Sequence, residues 1–104
     1  MIRIYTSQSD GICEITIRGH AGYSLHNDIV CAAVSTLYYT LLEVLEKETP
    51  LSITEKTEKK GKAYLRFVSN QKTSCSFGTI LTGLEMIEEE FPENVKIIKR
   101  STNL

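Results

Sequence analysis

The stretch Ile12-Cys13-Glu14-Ile15-Thr16-Ile17-Arg18-Gly19, and the run that opens one loop later at Asp28-Ile29-Val30-Cys31-Ala32-Ala33-Val34-Ser35, decide the fold. In the first, Ile15 and Ile17 fall on one side while Glu14, Thr16 and Arg18 fall on the other. Alternation of period two describes a strand with one buried face. In the second, Val30, Ala33, Val34, Leu37, Leu41, Val44 and Leu45 recur at three- and four-residue steps, the spacing of one helix face. Pro50 closes that helix, because the residue before a proline avoids helical geometry. Residues 21–27 have no apolar period and contain Gly22, Ser24 and Asn27, so they read as a loop.

Upstream, residues 2–7 form a second strand candidate, joined to the first through a turn at 8–11 in which Gly11 suits positive φ. The two strands make a hairpin. Downstream, 51–57 and 62–68 flank a turn at 58–61, with Ala63, Leu65 and Phe67 inward and Lys62, Tyr64 and Arg66 outward. A second helix over about 70–91 carries Phe77, Ile80, Leu81, Leu84, Ile87 and Phe91 on one side. Gly78 and Gly83 each weaken it by about 1 kcal/mol, so packing must hold it. Residues 95–99 form a last short strand, and 100–104 are expected to fray. The order ββαββαβ gives an α+β fold. Each amphipathic helix needs a sheet face, so two helices pack on a small mixed sheet as a two-layer sandwich.

The 104 residues suit one domain, 1–104, able to bury a core without disulfides or a structural metal. Content that is 41% hydrophobic and 24% charged is ordinary for a globular protein. A net charge of −1 gives no broad footprint for nucleic acid, so no direct nucleic-acid partner is expected, though a local basic patch stays open. No apolar run nears the ~20 residues that cross a bilayer. The first ten residues lack the apolar region of a signal peptide. The expectation is a cytoplasmic protein without a membrane partner. Cys13, Cys31 and Cys75 are odd in number and unpaired in spacing, hence free thiols.

The chemistry gathers between His20 and Ser35. His20 stands where a strand ends, and Cys31 is the third residue of a helix capped by Asp28. A loop that folds back brings imidazole to thiol. Asp28 can accept from the amides of Val30 or Cys31, and the helix dipole favours negative charge in the first turn. A nearby imidazolium lowers a thiol pKa further. The Asp28 carboxylate opposes thiolate formation if it points at the sulfur and helps if it caps amides or orients His20. The Cys31 amide is a candidate oxyanion donor, and Ser35, one turn on, shares its face. Cys31 falls off the main apolar stripe, with Ser35 and Tyr38.

Plainer readings compete. A lone helical cysteine is usually core, and a histidine at a strand end is usually a surface residue. His26 is read as an exposed loop residue, Cys13 as a core thiol beside Ile15 and Ile17, and Cys75 as structural. Zinc ligation by Cys13, His20, His26 and Cys31 matches no common spacing. A redox-sensing thiol would need Cys13 as its resolving partner. Tyr38 and Tyr39 follow the Cys31 face and are candidates to line a groove, Tyr39 alternatively a dimer contact. The glutamates 85 and 88–90 read as a solvated helix face. A non-catalytic binding module is the alternative function.

Gly19-His20-Ala21 followed by the block Asp28 to Ser35 resembles the signature of the ribosomal-processing cysteine protease family Prp. The likeness covers nearly the whole chain, including the acidic Ile87-Glu88-Glu89-Glu90-Phe91 end of the second helix. It implies a cysteine endopeptidase with His20 and Cys31 as catalytic residues, and Asp28 and Ser35 as supporting ones. It further implies a homodimer that needs no cofactor or metal. The implied substrate is the N-terminal extension of large-subunit ribosomal protein twenty-seven. The family's loop often carries Tyr-Gly before the block, where this chain has Leu25-His26-Asn27 in a loop one residue shorter. Gly22 remains as the loop hinge.

Overall fold

A computed structural model describes residues 1–24 and 28–100. Eight elements follow in order: β1 (Ile2–Ser9), β2 (Ile12–Arg18), α1 (Ile29–Glu48), a 3₁₀ turn (Pro50–Ser52), β3 (Ile53–Lys59), β4 (Lys62–Val68), α2 (Gln71–Glu90) and β5 (Val95–Arg100). This is the expected ββαββαβ sandwich. The five strands lie in the order β3-β4-β2-β1-β5. Among the described residues only the β1–β5 pair is parallel, so the sheet is mixed.

Local chemistry explains the element ends. The β1–β2 hairpin turns at Asp10 and Gly11, both with positive φ, the backbone of a tight two-residue connection. Asn70 caps α2 by a reciprocal box: its side chain accepts from the Thr73 amide, and the Thr73 hydroxyl accepts from the Asn70 amide. The α1 helix ends at Glu48, and the Thr49 amide closes its last turn on Leu45.

One core lies between the sheet and both helices. Ile4, Ile15, Leu65 and Phe67 project from the strands; Val30, Val34, Leu41, Leu45, Phe77 and Leu84 meet them from the helices. Phe67 and Phe77 stand edge to face at 5.7 Å, a geometry worth about 1 kcal/mol beyond burial. Gly83 lets the helices close: a Cβ there would sit 2.9 Å from a Leu37 methyl. Cys13 is buried as expected.

Several expectations need correction. β1 runs on to Ser9, so Gln8 and Ser9 are strand rather than turn. β3 begins at Ile53, because Pro50–Ser52 turn as a 3₁₀ segment that leaves Leu51 in solvent. It then runs on to Lys59, so Glu58 and Lys59 are strand rather than turn. Tyr38 shares the Cys31 side of the helix but does not line the Cys31 cleft. It continues the Val34 stripe into the core, where its hydroxyl has no hydrogen-bond partner among the described residues and burial pushes its pKa up to about 12. Arg100 belongs to β5; the rest of the expected frayed tail lies outside the described residues. Finally, α1 is long and apolar enough to span a bilayer by length and composition. Its buried stripe of Val30, Val34, Tyr38, Leu41, Leu42 and Leu45 makes it the core helix of the sandwich.

Candidate active site

The site assembles where β2 leaves the sheet. Gly19 takes φ +91°, and a Cβ on it would lie 2.5 Å from the Met1 carbonyl oxygen, so no other residue fits. Its amide donates to the Gly61 carbonyl at 2.9 Å, tying the strand end to the β3–β4 turn. His20 follows directly, exposed, with Nε2 3.8 Å from where a Gly61 Cβ would stand. Ala21 is buried and held twice: its carbonyl accepts from Asn94 Nδ2 at 2.9 Å, and its amide donates to Cys31 Sγ at 3.2 Å. Asn94 in turn accepts the Ile2 amide on its own carbonyl. The segment carrying the imidazole is thus fixed to three other parts of the chain.

Cys31 arrives from α1 as its third residue. Asp28 caps the helix as expected, with Oδ1 accepting the Cys31 amide at 2.9 Å and Oδ2 accepting the Tyr23 amide at 3.3 Å. Those amides hold the Asp28 carboxyl below the usual carboxylate range. Two consequences revise the sequence reading. The Cys31 amide is already committed to Asp28, so it is not a free oxyanion donor. Both Asp28 oxygens accept backbone amides, an arrangement that caps the helix and ties Tyr23 to it.

The thiol is half-buried. Burial pushes its pKa up, and Asp28 adds to that through a hydrogen bond and its charge; the Ala21 amide pulls the other way. On balance the pKa is raised, so the surroundings favour the thiol over the thiolate that the helix dipole suggests. An amide aimed at the sulfur still favours negative charge on it once a base takes the proton.

His20 and Cys31 line one open cleft of about 220 Å³, together with Ser35, Tyr39, Glu58 and Gly61. Ser35, one turn after Cys31, faces the cleft as its spacing predicts. Tyr39 lines it too, and its hydroxyl donates to the Glu58 carboxylate, bridging α1 to β3 as one wall. That bond pushes the Tyr39 pKa up. Gly22 sits just beyond Ala21 with φ +68°, a left-handed conformation compatible with a hinge. The Leu25-His26-Asn27 departure and the exposed reading of His26 lie outside the described residues. Among the described residues no three potential metal ligands cluster.

Sequence reasoning missed Asn94 and Glu58 as parts of the site. Asn94 carries no local signal, because its partner is 73 residues away. Glu58 was hidden by the assignment of 58–61 to a turn.

Comparison with known proteins places the chain in a family and a fold. The family model for cysteine protease Prp matches residues 1–96. No curated protein matches the chain. The essential ribosomal processing protease Prp from S. aureus, in complex with a covalently linked product peptide, superposes with a TM-score of 0.84 at 24% identity, covering 96% of this chain and 100% of that one. The same protease with a substrate peptide gives 0.80 at 24% identity, with the same coverage. SMU.848 from Streptococcus mutans gives 0.77 at 29% identity, covering 98% of this chain and 96% of that one. The S. aureus likenesses establish the fold.

Proposed function

This chain belongs to the Prp cysteine protease family, and from that premise we propose that His20 and Cys31 are the catalytic pair of an endopeptidase that trims a ribosomal protein. The observation that carries the reading is their meeting in one cleft, the imidazole from a strand end and the sulfur from the first turn of α1. His20 accepts the Cys31 proton as the sulfur attacks the scissile carbonyl, and returns it to the leaving amine. The Ala21 amide, 3.2 Å from the sulfur, steadies the charge that passes through it. Water then hydrolyses the acyl-enzyme. Asp28 acts by capping α1 and so placing Cys31, and Ser35 supports the site from the next turn.

The substrate we assign is the N-terminal extension of large-subunit ribosomal protein twenty-seven, cut in the cytoplasm by a homodimer with no cofactor. Support comes from the signature block and from the ribosomal processing role of the S. aureus protease. The test is incubation of the purified chain with the unprocessed ribosomal protein under reducing conditions, read by intact mass. Loss of the extension as one fragment is expected, and a substrate of unchanged mass overturns the assignment. A Cys31→Ala variant is expected to retain binding and lose cleavage.

A further inference from the structure

The sheet has a second face, turned away from both helices, and its register concentrates charge there. Lys59 pairs with Lys62, Lys62 with Arg18, Arg18 with Arg3, and Arg3 with Lys96. Each of the five strands thus contributes one cation to a single row. At about 4.8 Å between strands the row runs roughly 19 Å. Of the chain's 12 lysines and arginines, five stand in it, although the net charge is −1. Among the described residues none of the five has a carboxylate within ion-pair distance. The carboxylates of this face, Glu14 and Glu55, lie two rows further along, and Glu14 is paired with Arg66 at 3.6 Å.

Like charges directly opposite one another on a sheet are destabilising. A row of five is retained at that cost, and a polyanion laid along it relieves the repulsion. The next row inward supplies rings: Tyr64, Thr16 and Tyr5 pair across β4, β2 and β1. Arg100 already stacks its guanidinium 4.6 Å from the Tyr5 centroid. A shallow cavity of about 460 Å³ opens over this row, lined by the cations Arg18, Lys62 and Arg100 and, at its far side, by the Glu55 carboxylate. Cations for phosphates beside aromatic and guanidinium planes for bases are what a single strand of nucleic acid requires. An acidic peptide would use the cations and leave the rings idle.

We propose that this face binds single-stranded nucleic acid, phosphates on the Lys59–Lys62–Arg18–Arg3–Lys96 row and bases on Tyr64 and Tyr5. The proposal does not depend on the protease chemistry. Lys59 and Lys62 also border the His20–Cys31 cleft, so a bound strand would end beside it.

The test is fluorescence anisotropy with labelled oligouridine of about twelve nucleotides, within the span of single-strand binding sites. Single-strand affinity falls with log salt at about 0.7 per phosphate neutralised, so five contacts predict a slope near −3.5. Between 50 and 200 mM salt that is roughly a hundredfold loss. Arg3→Gln with Lys96→Gln, both outside the cleft, should flatten the slope to about −2 and leave peptide cleavage unchanged. If the double variant melts early, Lys96→Gln alone should give a slope near −2.8. No binding at low salt overturns the proposal, as does an unaltered slope in the variants. Polyglutamate binding as tightly as oligouridine would assign the face to acidic protein instead. Conversion of a dimer to a monomer by the same substitutions, seen by sedimentation, would assign it to a second copy.

Discussion

Substitution of Asp28 separates two effects that its carboxylate now combines. Its oxygens accept the Cys31 and Tyr23 amides, and its charge raises the Cys31 thiol. Asp28→Ala removes the acceptor from both amides. Loss of an N-cap side chain costs about 1 kcal/mol, which lowers Tm by roughly 4–8 °C in a domain near 100 residues. Asp28→Asn keeps one oxygen to accept the Cys31 amide, a cap of equal rank, and gives up only the longer, exposed Tyr23 contact, so its Tm should fall by no more than about 2 °C. Both substitutions remove the charge, and both should move thiol ionisation to lower pH. The assays are thermal unfolding and the pH dependence of iodoacetamide alkylation, followed by mass mapping at Cys31. In the wild type the alkylation midpoint should lie above that of a model thiol, with both variants below the wild type. The Asp28 carboxyl itself is held low in the folded chain, so its stabilisation is present above the unfolded carboxyl value and is lost as pH falls through the folded one. An equal Tm loss in both variants, or an alkylation midpoint that rises in Asp28→Asn, would refute this division of roles.

Gly19→Ala should destabilise by about 2 kcal/mol or more from left-handed strain alone, with added conflict at the Met1 carbonyl, read from the urea midpoint. Asn94→Ala frees the Ala21 carbonyl and loosens the segment that carries His20, so kcat should fall by about tenfold with KM little changed. Stability should decline at alkaline pH. The Cys31 and Cys13 thiols are raised in the folded chain, so the contribution is intact below the unfolded thiol value of about 8.5 and is lost as pH rises through the folded values. A chemical-unfolding series in pH should show part of that loss vanish in Cys31→Ala.

Periodicity made the architecture legible. The alternation of Ile15 and Ile17 with Glu14, Thr16 and Arg18 placed β2 correctly, and the Val30–Val34–Leu41–Leu45 stripe placed α1. Failure came where one side chain can serve two faces. Tyr38 shares a helical face with both Cys31 and Val34, and only packing decided for the core. Leu51 looked like the start of a strand, but Pro50 turns the chain before pairing can begin. Within the site, the Asp28 cap followed from helix-end chemistry, whereas its capture of the Cys31 amide took away the expected oxyanion donor. Long-range partners such as Asn94 leave no spacing to read. The basic row is the same kind of case: its five members are scattered from Arg3 to Lys96, and only the register of four strand pairings gathers them.

The joint action of His20 and Cys31 is tested most directly by intact-mass measurement of the unprocessed ribosomal protein after incubation with wild type, His20→Ala and Cys31→Ala proteins of matched stability. The account predicts complete removal of the extension by wild type and none above background by either variant. Cleavage by the Cys31→Ala protein at the wild-type rate would contradict it.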